Sequence, residues 1–217
     1  YWPSAAANLP ETVAPLADWM AGLAARGRVS AERLYGAGGW VSFHATNPFG
    51  RTTPSGSTLA SQYVNGVLDP YAGAWMAMTL WRHWEFTRDR EFLRDRAYPV
   101  LKGAAEFVRD TLVELPDGGL GVVPSTSPEN SYRLPDGGTA RLTVNSAYHV
   151  TIARVVLAAA AEAAALLELD PADRESFLAA RARLPRLKIG ADGTIQEWDE
   201  DHAEAEPGHR HMSHLLG

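Results

Sequence analysis

The side chain best suited to moving a proton stands alone on an unusual loop. "VVPSTSPENSY" (122–132) interrupts alanine- and leucine-rich stretches with Ser, Thr, Pro and Asn around a single carboxylate, Glu129. Pro124 and Pro128 stiffen this backbone. Ser125, Ser127, Asn130 and Ser131 offer hydrogen bonds to a carboxyl or a sugar hydroxyl. By residue type alone two readings stand: a solvated, inert Glu, or an acid held out for chemistry.

The densest ionisable cluster is "GHRHMSH", with His209, His211 and His214. Its spacing is neither HExxH nor a zinc-finger pattern, and Arg210 adds a repelling charge. Contact with a hydroxyl-rich ligand is the preferred reading over metal, with helix capping or a buried hydrogen bond as the bland alternative. His44 and Asn47, in "FHATNPFG", are isolated polar groups among aromatics. Seven tryptophans are many for 217 residues, and aromatic faces stack on sugar rings as readily as they fill cores. Trp75, Trp81 and Trp84 belong to packing, whereas Trp40 and Trp198, beside loops, are expected near a ligand. The acidic run "EWDEDHAEAEPG" (197–208) lacks EF-hand order and reads as a solvated loop. There is no Walker loop, GxGxxG or GxSxG. The absence of cysteine rules out thiol catalysis and disulfides. A net charge of -6 without a basic stripe argues against nucleic-acid binding.

The elements that must position these residues are mainly helical. "NLPETVAPLADWMAGLAARG" predicts a helix with Gly27 past its end, and Val29–Tyr35 a further short one. Residues 36–69 read as a long structured loop. Asp69-Pro70 looks like an N-cap and first turn for a helix whose residues 71–81 carry no charge, so it should be buried on all sides. Residues 90–113 carry one apolar stripe and should cover that helix, bent near Pro99. The alternation recurs: 148–169 is almost continuously apolar, and 172–184 is amphipathic. Arg154 and Glu162, inside the apolar stretch, make a buried helix the better reading than a membrane span. Two "LPDGG" turns and Asp192-Gly193 predict short β-hairpins in the loops. Inner helices backed by outer ones, with decorated loops at one end, point to an α/α toroid. "YWPSAAANLP" has neither an initiator Met nor a signal peptide, and "GHRHMSHLLG" stops where a helix begins. Residues 1–217 are therefore expected to be part of one domain, truncated at both ends.

Several segments together carry a family resemblance. "YWP" with "NL" at 8–9, "GWVSFHATNPFG" (39–50), "GAWMAMTLWRHWEFTRDREFLRDRAYPVLKGAAEF" (73–107), "PSTSPEN" (124–130) and "LPRLKIGADGTIQEWDEDHAEAEPGHRHMSHLLG" (184–217) occur in order over essentially the whole chain. The set resembles the catalytic domain of glycoside hydrolase family 95, whose activities are α-L-fucosidase and, in some members, α-L-galactosidase. The resemblance implies a six-hairpin (α/α)6 toroid and an inverting glycosidase needing no metal or organic cofactor. It implies a fucosylated glycan as substrate, no nucleic acid, no membrane insertion, and a secreted or periplasmic location. The Glu of its "SPE" motif is the general acid, here Glu129. Trp40, His44, Asn47, Asn130, His209, His211 and His214 become candidate substrate contacts. The family's water-holding Asn pair is expected before Tyr1, and its Asp, in a "DGN" motif, after Gly217. Two departures bear on specificity: "SAYHV" (146–150) stands where members have "MD.Q", so Ala147 replaces the Asp, and "HATN" replaces "HHNTD". The alternatives are an α-L-galactosidase and a carbohydrate-binding toroid that has lost catalysis.

Overall fold

The computed structural model describes residues 1–54 and 65–215. Part of the long loop expected over 36–69, residues 55–64, lies outside them. The α-helices are α1 (Pro3–Ala6), α2 (Val13–Tyr35), α3 (Asn65–Leu68), α4 (Ala72–Thr87), α5 (Arg90–Phe92), α6 (Tyr98–Thr111), α7 (Ala147–Leu167) and α8 (Pro171–Arg183). Short strands β1 (Val113–Glu114) and β2 (Leu120–Gly121) form one antiparallel hairpin, and β3 (Tyr132–Arg133) and β4 (Thr139–Ala140) another. Each turns through one of the LPDGG sequences, where Gly118 and Gly137 take φ of 81° and 86°. The third expected hairpin reduces to a single bridge between Ile189 and Ile195.

The helices pack as in part of an α/α toroid, but α6, expected to cover α4, is itself as deeply buried, because α2, α4 and α7 all pack against it. α7 is packed by α4, α6 and α8, and its uncharged stretch Ala147–Ala153 is wholly buried. Arg154, lower on the same helix, sends its guanidinium to the carbonyls of Leu184 and Pro185, and Glu162 points to solvent. Among the described residues this is the helix long and apolar enough to cross a membrane, and here most of it is buried inside the domain. α8 buries little besides Phe177 and Ala180, which is the narrow stripe of a covering helix.

Two local expectations change. Residues 13–35 form one helix rather than two, ending at Gly36 in the left-handed conformation. Gly27 is a helix-interior glycine because a β-carbon there would lie 2.6 Å from the Val41 carbonyl oxygen. The bend expected near Pro99 is a π-helical turn over Leu93–Ala97, just before the proline that removes a backbone donor.

Trp40 explains much of the packing between helices. Its indole is 2% exposed and its Nε1 donates to the Val100 carbonyl at 2.9 Å. Gly73 of α4 and Gly103 of α6 press on the ring, where an added β-carbon would come within 2.7 Å of it. Gly27 of α2 closes the third side. Both ring faces are covered by protein, so Trp40 is a core residue rather than the sugar platform expected of it. Trp198 is likewise buried, 4.9 Å from the Tyr132 ring.

Candidate active site

The loop after β2 is fixed from below before it reaches Glu129. Ser125 makes a two-way backbone bridge with Thr143, at 2.8 and 2.9 Å. Its hydroxyl donates to Ser146 Oγ at 2.8 Å and lies 2.9 Å from His149 Nδ1. The other ring nitrogen of His149 lies 3.1 Å from Asp69 Oδ1, while Tyr148 donates its hydroxyl to Asp69 Oδ2 at 3.2 Å. Every member of this chain is buried. Asp69 is therefore no helix cap: its carboxylate is an internal anchor that ties the start of α4 to the start of α7. The Ser–His–Asp order invites comparison with a hydrolase triad, but a serine with no exposure has no route to a substrate.

One turn further on, Ser127 Oγ and Asn130 Nδ2 both donate to Glu197 Oε1, each at 2.5 Å. Ser213 Oγ donates to the Pro128 carbonyl and Asn130 Nδ2 also reaches the His211 carbonyl, at 3.2 Å. The Val123-Pro124 and Pro128-Glu129 peptide bonds are cis. Glu129 thus sits between residues anchored on both sides.

Its carboxylate is partly exposed and receives the Arg210 guanidinium at 2.8 Å. His211 Nδ1 is 3.4 Å away. His209 Nε2 lies 3.3 Å from His211 Nδ1, and its Nδ1 lies 3.2 Å from Glu206 Oε2. Glu129, His209, His211 and Glu206 line a cavity of about 930 Å³, within the roughly 300–1,000 Å³ of small-molecule sites. Asn130, Glu197 and His214 line it too, with Arg141 and further carboxylates at Asp192 and Glu204. Asn130 Oδ1 and His214 Nδ1 are buried and make no hydrogen bond to the described residues. Such groups at a cavity wall have unspent capacity for a polar ligand.

Five of the residues singled out in the sequence are thus brought together: Glu129, Asn130, His209, His211 and His214. His44 and Asn47 are exposed on the 41–54 loop and do not line this cavity. Asn47 caps its own loop, its Oδ1 accepting from the backbone of Phe49 and Arg51. Glu197 is not distinguished by the sequence around it, an acidic run that reads as solvated. Its one local signal is the apolar company of Ile195 and Trp198, which marks that end of the run as the part that turns inward.

The family model described as "Glycosyl hydrolase family 95 catalytic domain" matches residues 1–217. The chain belongs to that family. It is 37% identical over 218 positions to "Alpha-L-fucosidase 2" of Arabidopsis thaliana, a match covering 100% of this chain and 25% of that protein. It is 31% identical over 223 positions to "Probable alpha-fucosidase A" of Aspergillus niger, covering 100% of this chain and 27% of that protein. The family 95 segment described here spans about a quarter of the length of these curated relatives.

Proposed function

We propose that this chain supplies the general acid, Glu129, of an inverting glycoside hydrolase that removes terminal α-L-fucose from glycans. Family membership and the fucosidase names of both relatives support the reaction class. The observation that carries the residue assignment is the placement of Glu129: a rigidly anchored carboxyl on the wall of a large polar cavity. Inversion needs one carboxylic acid to protonate the leaving oxygen while a base activates water on the opposite face of the sugar. Arg210 pairs with the ionised carboxylate, whereas a donor needs the protonated one, so that contact opens before catalysis. The Arg210 side chain is 70% exposed and has room to swing into water. His209, His211, His214 and Asn130 then face the sugar hydroxyls.

Glu129→Gln in the full-length enzyme tests the assignment. The amide keeps the shape but has no proton to give. Hydrolysis of a natural fucosyl glycan should fall by at least ~10²–10⁴-fold, the usual contribution of general acid catalysis. Fucosyl fluoride, whose leaving group needs little protonation, should lose far less. Equal losses in kcat/KM on both substrates would reject the general-acid role.

A further inference from the structure

The hydrogen bonds around His209 and His211 leave three acceptors facing one another. Glu206 is a carboxylate, so at 3.2 Å it accepts, and His209 Nδ1 carries the proton. In the neutral ring Nε2 is then a lone pair. The Glu129 backbone N–H donates to His211 Nδ1 at 3.3 Å, so that nitrogen is also unprotonated, its lone pair engaged by this long hydrogen bond. The two nitrogens are 3.3 Å apart, and Glu129 Oε2 lies 3.4 Å from the second. All three ligand atoms fall within 4.8 Å of one another. Arg210, 2.8 Å from Glu129 Oε2, brings positive charge to one side of the group, while the two imidazole nitrogens still face each other across 3.3 Å.

We propose that Glu129, His209 and His211 form an inhibitory binding site for a zinc-like divalent cation. Zinc binds imidazole nitrogen and carboxylate oxygen at about 2.0–2.2 Å, so tetrahedral donors stand roughly 3.3–3.5 Å apart. Two of the three separations, 3.3 and 3.4 Å, match, the third falls within 4.8 Å, and a bound ion takes the place of the Glu129 N–H on His211 Nδ1. Glu206 behind His209 supplies the carboxylate that orients a metal-bound imidazole and sets its tautomer. Arg210 yields its place on Glu129 by turning outward, and the fourth position opens onto the cavity for water. The sequence spacing hides this site because its third ligand comes from a loop about eighty residues earlier. Inhibition, as distinct from binding, rests on the role proposed for Glu129: a carboxylate bonded to zinc has no proton to donate.

The test uses the full-length protein, stripped with a chelator and titrated calorimetrically with Zn²⁺ and, separately, Mg²⁺, which disfavours imidazole. About one Zn²⁺ should bind per chain, and Mg²⁺ should not compete. His209→Ala, His211→Gln and Glu129→Gln should each weaken Zn²⁺ binding by no less than the ~10–100-fold typical of losing an outer partner. Fucoside hydrolysis should fall in step with zinc occupancy and return on adding EDTA. The absence of binding, or binding indifferent to all three variants, would overturn the site and show that a shared proton satisfies the cluster. Binding that depends on these residues while hydrolysis is untouched would uphold the site and reject Glu129 as the acid. Failure to bind zinc, with Glu129→Gln still sparing fucosyl fluoride, would remove the site alone.

Discussion

Glu197 shows how a single side chain sets the geometry of another. Its Oε1 accepts from Ser127 and Asn130, the residues that flank Glu129 on either side. Glu197→Ala removes the shared acceptor and leaves two donors in a largely buried wall. A loss of about 1–3 kcal/mol is expected, the usual penalty for a buried group deprived of its partner. The proposed acid would then sample several positions, so kcat should drop more than KM changes. Glu197→Gln keeps an oxygen acceptor and should recover part of the stability. Chemical denaturation together with initial rates on one fucoside separates the two effects. A variant of normal kcat and lowered stability would show that Glu197 holds the loop without aiming Glu129.

Trp40 is the test of how the elements pack. Three glycines, one each on α2, α4 and α6, are pressed against its ring. Replacing it by alanine empties that junction and should cost about 3–5 kcal/mol, as large aromatic truncations in cores do. Because its faces are covered, the fraction that remains folded should keep the parent KM. A raised KM at unchanged stability would return Trp40 to the ligand. A neighbouring anchor has the same character: the Asp69 carboxylate joins two helix starts through Tyr148 and His149. Both cases show glycines and buried polar pairs used where helices meet, and the second also holds Ser125 and Thr126 of the Glu129 loop through His149.

Across the whole molecule, the dependence of stability on pH should carry a signature of His83. It is buried against Phe92, with ring centroids 4.2 Å apart, and its Nδ1 makes no hydrogen bond to the described residues. Burial pushes its pKa below the ordinary 6.5, and Asp89 pulls only partly back. The fold therefore favours the neutral ring. Its contribution is fully present above pH 6.5, the unfolded value, and is lost as pH falls through the lower folded value. Thermal melts between pH 7.5 and about 5 should show a steeper decline for the parent than for His83→Gln, which does not titrate. Parallel curves would mean that the ring protonates without cost.

The sequence by itself determined that 71–81 belongs to a buried helix, because a stretch without charge has no face suited to water, whereas the striped α6 is buried as deeply once α2, α4 and α7 pack on it. It also determined both LPDGG turns, whose residues supply the local conformations such turns require. The motif set identified the family, and "SPEN" singled out Glu129 as the residue to examine. Other features were decided by tertiary structure alone, since each depends on residues far apart in the chain. Gly27 reads as a helix end until Trp40 and Val41 arrive to occupy the space of a side chain. Asp69 reads as a cap until α7 brings His149 to it. Trp40 resembles a sugar platform in sequence, and burial removes both of its faces. Glu197 is one acid in a run of acids, and hydrogen bonds across some seventy residues single it out. Local periodicity records which face of an element is apolar, but it carries no information about which distant partner that face will meet.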